Sequence, residues 1–352
     1  MKIMRALSNG VIKRMPSAAT KGCQAYCDIL NELVVTQALS QLHDGVLING
    51  QPNALYRTHF FCLIHEIKVV SGNLERTLSK SQASNKLSAL AARSTEIVSN
   101  EKREDGGKEM ATDESGTNAN VAPKEDEFKN LSEDDRMLMA ALPYEYVVSV
   151  MRHDGQPLWW MMTHKRLTAE QLTSVLVQVI VGLAIAEKVY LYEHRDLHVS
   201  NILIKKTSKT TVPFVLSGRR YSIISFGIKA TIIDATFSRL THNGKIYYRD
   251  LTTTLRTYGT HKTPTRMSLQ NRSYRQMVQL TDNNWRDFTP KTNLIWLTYL
   301  CETLMKNEIM KSEPKLLNEV KKIRDYTLKV EDTFELLGHF PFEKDKKPST
   351  AT

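Results

Sequence analysis

The eight residues His194-Arg195-Asp196-Leu197-His198-Val199-Ser200-Asn201 limit what this chain can fold into more than any other segment. Ahead of them, 168–190 has the pattern of a helix. Thr168 stands at its N-cap with Glu170 and Gln171, and Leu172, Val175, Val179, Leu183 and Ala186 share one face. Behind them come two short runs of strand type, 202–204 and 230–233. The second run ends in Asp234. The stretch between the runs has a Ser-Gly centre flanked by β-formers, which predicts a hairpin-like excursion. A buried helix, a polar loop and two strands in this order bring Asp196, Asn201 and Asp234 to one side of a sheet.

Those three side chains suit one chemistry. Transfer of a phosphoryl group asks a protein to position a hydroxyl and to neutralise charge on the group in flight. Asp196 can accept the proton of the incoming hydroxyl. Asn201, five residues on, and Asp234 supply oxygen atoms to a divalent metal. ATP and Mg2+ are therefore the expected cofactors. An isolated Asp and Asn more often cap a turn. The carboxylate at the end of the second strand favours the catalytic reading here.

Elsewhere the chain divides by composition. Residues 22–42 carry apolar side chains at helical spacing, among them Ile29, Leu30, Leu33, Val34, Ala38 and Leu42. From 84 to 136 charge, Gly, Ser and Asn replace apolar residues, which predicts a disordered insertion. Residues 146–151 form a short strand, and 292–310 and 314–338 the closing helices; no internal repeat is visible. The formal charge of +10 favours acidic partners. Four cysteines, with no second pair of Cys or His to complete a zinc set, fit reduced thiols. The most apolar stretch, 175–186, is shorter than the roughly 20 residues of a membrane span, and the first residues lack a signal-type apolar core. No membrane partner is expected.

The string Tyr-Glu-His-Arg-Asp-Leu-His-Val-Ser-Asn-Ile-Leu-Ile at 192–204 resembles the catalytic loop of the haspin family of atypical serine/threonine protein kinases. Asp234-Ala235-Thr236, followed by Phe237-Ser238-Arg239-Leu240, is similar to that family's D-Y-T and S-R-L. Ser273-Tyr274-Arg275-Gln276-Met277, Asn283-Asn284-Trp285 and the run from Asn293 extend the likeness, which covers about 1–340 outside the insertion. It implies an α+β, two-lobed protein-kinase-like fold, with a small β-rich N-lobe and a larger, mainly helical C-lobe. The kinase domain would span 1–343, the N-lobe 1–151 and the C-lobe 152–343, with a disordered tail at 344–352. By the same resemblance Lys2 ends the strand that contacts phosphate, Glu32 holds it, and Met151, Arg152 and His153 line the nucleotide. No Gly-rich loop precedes Lys2, so the small lobe is expected to be truncated.

The implied activity is transfer of the γ-phosphoryl of Mg-ATP to a protein Ser or Thr. The family's substrate is a threonine in a basic histone tail. Here 249–275 carries Arg249, Arg256, Lys262, Arg266, Arg272 and Arg275 against Asp250 alone, and like charges oppose the approach of such a tail. Two alternatives belong to other classes. A pseudokinase acting as a binding module would fit the missing loop and the hinge after Met151, where Arg152 and His153 replace the acidic, aromatic pair that the resemblance implies. A small-molecule kinase of the aminoglycoside or choline type shares the spacing from Asp196 to Asn201, but the Ser-Arg-Leu and Asn-Asn-Trp strings favour the haspin family. The remaining expectations are a monomer acting on a protein substrate or chromatin, without direct binding of nucleic acid, in the nucleus or cytoplasm. Arg195 is expected to be structural, and His198 to bond nearby backbone.

Overall fold

The structure, a computed structural model, describes residues 2–7, 24–43, 47–48, 51–52, 55–71, 145–258, 267–340 and 342–344. The expected insertion at 84–136, the side chain of Lys2 and all but the first residue of the expected tail lie outside these. Chain contacts divide the protein into two units, Met1–Tyr26 with Ile67–Val148, and Cys27–Glu66 with Ser149–Thr352.

The chain opens with β1 (Lys2–Leu7), paired in parallel with the short β2 (Gln24–Ala25). Helix α1 (Tyr26–Ser40) and one 3-10 turn (Gln41–His43) follow, then a small hairpin of β3 (Leu47–Ile48) and β4 (Gln51–Pro52). A sheet in the order β2-β1-β6-β5 is completed by β5 (Ile64–Ser71) and β6 (Glu145–Met151). In α1, Ile29, Glu32, Val35, Ala38 and Leu39 are buried, while Leu30 faces outward. A spacing of three and four residues makes that a single stripe.

The larger unit is built around α3 (Ala169–Tyr190), preceded by β7 (Gln156–Pro157) and α2 (Leu158–Thr163). Thr168 starts α3 with a capping box: its hydroxyl accepts from the Gln171 amide at 3.3 Å, and the Gln171 side chain accepts from the Thr168 amide at 3.0 Å. The helix is long and apolar enough by length and composition to cross a membrane, but 78% of its most apolar window is buried inside the protein. It is a core helix covered on every side, which explains the unbroken apolar run. Gly182 lets Phe60 and Ile232 close onto it, since an added Cβ would stand 3.1 and 3.3 Å from their carbons. Gln178, fully buried, accepts from the Ala230 amide at 2.7 Å and so joins α3 to the sheet beside it.

That sheet runs β11-β8-β7, with β8 (Ile202–Lys206) antiparallel to β11 (Ile228–Ile232) and Ile202 opposite Ile232. The stretch between them is the expected hairpin, β9 (Thr211–Leu216) and β10 (Arg219–Ile224), turning at Ser217 and Gly218, both at positive φ as a two-residue hairpin loop demands. A second hairpin, β12 (Arg239–His242) with β13 (Lys245–Tyr248), follows. Then come α4 (Leu269–Thr281), α5 (Lys291–Lys306), α6 (Glu308–Lys311), α7 (Pro314–Thr327), α8 (Thr333–Leu337) and the terminal β14 (Glu343–Lys344).

Several boundaries differ from expectation, each for a local reason. The helix at 292–310 breaks at Asn307, whose side chain caps α6 by accepting from the Ile309 amide at 3.0 Å. The helix at 314–338 breaks before Asp332, which caps α8 through the Glu335 amide at 2.7 Å. Lys344 pairs with Tyr221 in a strand. Most of α1 and the stretch 55–66 belong with the larger unit. Tyr190 donates to the Ala38 carbonyl at 2.9 Å, and the Ile232 amide to the Phe60 carbonyl at 2.7 Å. Cys62 and Cys301 are buried, and burial pushes their thiols up to about 11 and about 12, so both stay protonated.

Gly155 sits between β6 and β7 at φ 100°, where a Cβ would lie 1.9 Å from the Ile204 carbonyl oxygen. Both the backbone angle and the clash exclude any other residue. Gly155→Ala is expected to lower stability by about 1–3 kcal/mol, read as a lower melting temperature of the purified chain.

Candidate active site

The loop after α3 is held from below by charge and amides. Leu191 closes the helix in the left-handed region at φ 50°. Glu193 pairs with Arg239, each amide donating to the other's carbonyl at 2.8 and 2.9 Å. The Glu193 carboxylate receives the Arg195 guanidinium twice, at 3.0 Å each, with both side chains wholly buried. The Thr289 amide at 2.9 Å and the Thr292 hydroxyl at 2.7 Å also donate to it. Arg195 further donates to the Trp285 carbonyl at 2.8 Å and stacks over that ring. These bonds hold Arg195 at φ 64°, a left-handed conformation that costs a non-glycine residue about 1–2 kcal/mol.

Asn293 reads the same loop through its backbone. Its side-chain oxygen accepts from the His194 amide at 2.9 Å, and its nitrogen donates to the Tyr192 carbonyl at 2.9 Å and to Glu187 at 2.7 Å. Burial pushes Glu187 up to about 8, against the pull of its donors Thr333 and Asn293. His194 is fully buried. Its Nε2 donates to the Ile233 carbonyl at 3.1 Å, and its Nδ1 accepts from the Asp196 amide at 3.3 Å. Burial lowers it to about 4, so this ring is neutral and fixes the loop against the strand before Asp234.

Above this base stands Asp196, 18% exposed. Its Oδ1 accepts from the Tyr274 hydroxyl at 2.5 Å, a bond reaching across from α4. Burial pushes its carboxyl up to about 8; the Tyr274 hydroxyl pulls it down and the charge of Asp234 raises it further. Asn201 donates its side-chain nitrogen to the Asp196 carbonyl at 2.9 Å, and its own carbonyl accepts from the Ile233 amide at 3.0 Å. The two expected metal-holding segments are thereby clipped together. His198 behaves as the loop residue expected: its Nδ1 accepts from the Ser200 amide at 3.2 Å and caps the turn Val199–Asn201.

Asp234 lies two residues beyond the end of β11, at φ 68°. Its Oδ1 takes the Thr236 amide at 3.1 Å and the Thr236 hydroxyl at 2.5 Å. The same hydroxyl lies 3.1 Å from Glu32, its single proton serving one acceptor at a time. Glu32 is therefore no solvated helix charge: it is 5% exposed and reaches Thr236 of the Asp-Ala-Thr string. Ser238 extends the string's role by donating to the His194 carbonyl at 3.2 Å. The S-R-L residues thus brace the loop from behind.

The hinge residues follow β6. The Arg152 amide donates to the Leu63 carbonyl at 2.9 Å, and its guanidinium holds Asp154 at 2.8 and 3.0 Å. Asp154 is buried beneath it. His153 is exposed, and its carbonyl accepts from Lys205 at 2.9 Å. Lys205 therefore ties β8 to the segment after β6. Met151 is half-buried at the end of β6.

Asp196, Asn201, Asp234 and Glu32 thus gather in one network, while Arg152 and His153 lie on the connection from β6 to β7. Sequence reasoning passed over Tyr274 as a partner of Asp196, Glu193 as the partner of Arg195, and Thr236 as the link to Glu32. All three stand in the strings that carry the resemblance, but a string does not show its bonds, and the partners lie as far as 204 positions away.

The family model described as "Haspin like kinase domain" matches residues 138–337, more than half of the chain. The chain belongs to the haspin-like kinase family. It is 34% identical over 200 residues to a "Serine/threonine-protein kinase haspin homolog" of Arabidopsis thaliana, covering 57% of this chain and 32% of that protein. It is 33% identical over 184 residues to one of Drosophila melanogaster (51% and 31%) and 33% over 156 residues to "Serine/threonine-protein kinase haspin" of Bos taurus (44% and 19%). The matched stretch thus spans about a third or less of the length of these curated relatives. The match begins just before β6 and takes in the hinge, the loop and α3 to α8.

Removing one member of the buried pair beneath the haspin-like loop leaves the other charge without its counter-ion. Arg195→Ala is expected to cost about 3–5 kcal/mol. A denaturant titration would show it, and a loss below about 1 kcal/mol would mean the pair does not hold the loop.

Proposed function

We propose that this chain is a protein serine/threonine kinase that transfers the γ-phosphoryl group of Mg-ATP to a protein hydroxyl. The observation that carries the reading is the loop itself: Asp196 stands on a buried, fully bonded base, next to Asn201 and within electrostatic reach of Asp234.

Asp196 would orient the acceptor hydroxyl and take its proton as the hydroxyl oxygen bonds to the γ-phosphorus, the bond from that phosphorus to the β,γ-bridging oxygen breaks and ADP leaves. Burial raises its basicity, and the Tyr274 hydroxyl fixes one of its two oxygens, which directs the other toward the acceptor. Asn201 and Asp234 fit a magnesium ion by donor chemistry, since amide and carboxylate oxygens are the hard ligands Mg2+ takes. Because the nitrogen of the Asn201 amide is spent on the Asp196 carbonyl, its oxygen is the atom left to offer. Among the described residues no three His, Cys, Asp or Glu side chains converge on one point. Phosphate oxygens and water would therefore complete the set, as is usual for Mg2+ bound with a nucleotide. The ion would offset charge on the phosphates and on the paired carboxylates. Glu32, anchored through Thr236, would hold the strand side of the phosphate site, and Met151 to His153 would flank the base of the nucleotide.

The test is binding and transfer by the chain itself. Mg-ATP at ~100 times its dissociation constant should stabilise the fold by ~2.7 kcal/mol, and labelled phosphate should appear on Ser or Thr of mixed-protein or histone substrates. Asp234→Ala is expected to abolish the magnesium-dependent part of the melting shift. No shift and no transfer by the unaltered chain would contradict the proposal and leave a binding module instead.

A further inference from the structure

The hydrogen bonding at Asp196 does not end with Tyr274. The phenolic oxygen of Tyr274 also accepts from the Gln270 side-chain nitrogen at 3.1 Å, one turn back along α4. Residues four apart share a helix face, so the two side chains meet without any distortion of the helix. Chemistry fixes the direction of this pair. The amide nitrogen of a glutamine only donates, and a phenol carries a single proton. With Gln270 donating to its oxygen, the Tyr274 hydroxyl turns its proton to Oδ1 of Asp196, 2.5 Å away. Donation to a hydroxyl oxygen also polarises its O–H bond and strengthens the next bond in the chain.

The result is asymmetric at the carboxylate. Oδ1 is held by Tyr274, whereas Oδ2 has no hydrogen bond among the described residues; Nε2 of His198 lies 3.9 Å from it, beyond hydrogen-bond reach. Oδ2 is therefore the oxygen left to meet an acceptor hydroxyl. The Tyr274 ring itself has little room to move. It is 8% exposed, and the ring centroids of Trp296, Tyr258 and Phe237 stand 5.3, 5.4 and 6.4 Å away. These rings place the phenol, but ring packing does not choose which way its proton points. Gln270 does. Its turn of α4 is fastened twice: the Ser268 hydroxyl accepts from the Asn271 amide at 3.2 Å, and the Tyr258 hydroxyl donates to the Asn271 side chain at 3.3 Å.

We propose that Gln270 is a positioning residue for phosphoryl transfer: by directing the Tyr274 hydroxyl to Oδ1, it holds Asp196 with Oδ2 turned to the acceptor. This inference rests on the reading of the chain as a protein kinase and adds a residue that acts on the base from one side chain away. Neither Gln270 nor Tyr274 exchanges a proton in the transfer; the proton of the acceptor passes to Oδ2.

The experiment is a double-mutant cycle on the full chain, reading turnover at saturating Mg-ATP and the KM for Mg-ATP with a mixed-protein acceptor. Gln270→Leu is expected to lower turnover about tenfold, equivalent to about 1.4 kcal/mol, while the KM for Mg-ATP stays within about twofold. Tyr274→Phe is expected to lose at least as much. The double variant should lose no more than Tyr274→Phe alone, because Gln270 acts only through that hydroxyl. Gln270→Asn keeps an amide but draws it back by one methylene. It is expected to match Gln270→Leu and guards against a misfolded leucine variant, with melting curves verifying each fold. Unchanged turnover in both Gln270 variants, a loss carried by KM alone, or losses that multiply in the double variant overturn this inference and leave the kinase reading in place. No transfer by the unaltered chain overturns both.

Discussion

The buried pair of Glu193 and Arg195 is the constraint on which the site depends. Two charges wholly removed from water are costly unless every lone pair and proton finds a partner. Here the carboxylate receives four donors besides one another's charge: two from Arg195, one from the Thr289 amide and one from the Thr292 hydroxyl. The chain between the partners is forced into a left-handed turn at Arg195. As a result His194 bonds inward to the strand leading to Asp234, while Asp196 faces Tyr274. Without that turn the loop has no reason to present an acid on one side and a buried imidazole on the other.

Around this base the charged groups brought together by Thr236 and Asn201 are carboxylates. Asp196, Asp234 and Glu32 form an acidic group tied together through Thr236 and Asn201. In the proposed reading, Asp234 with Asn201 would hold a divalent cation whose remaining positions phosphate oxygens and water complete.

Much of this was legible in the sequence because the relevant signals are local. The capping box at Thr168, the all-round apolar character of α3 and the Ser-Gly turn of the β9–β10 hairpin are each set within a few residues. The spacing of Asp196 and Asn201, and the strand before Asp234, belong to the same kind of signal. What escaped are bonds between distant segments. Tyr274 stands 78 positions from Asp196, and Asn293 stands 106 from Glu187, distances over which no periodicity or motif spacing carries information. Capping also defeated the helix boundaries at Asn307 and Asp332, where a side chain accepting one amide outweighs continued apolar spacing. By the resemblance Arg152 is expected to line the nucleotide. Its guanidinium instead holds the buried Asp154 two residues away, a pairing that the resemblance does not contain.

The most direct measurement is phosphoryl transfer by Asp196→Asn beside its binding of Mg-ATP. The asparagine keeps the size of the side chain and an oxygen for the Tyr274 hydroxyl, but cannot take a proton from the acceptor. If Asp196 is the base, transfer falls by a factor of ~10²–10⁴ while the Mg-ATP melting shift is retained. Transfer at the unaltered rate would contradict the assignment of the loop as the catalytic centre.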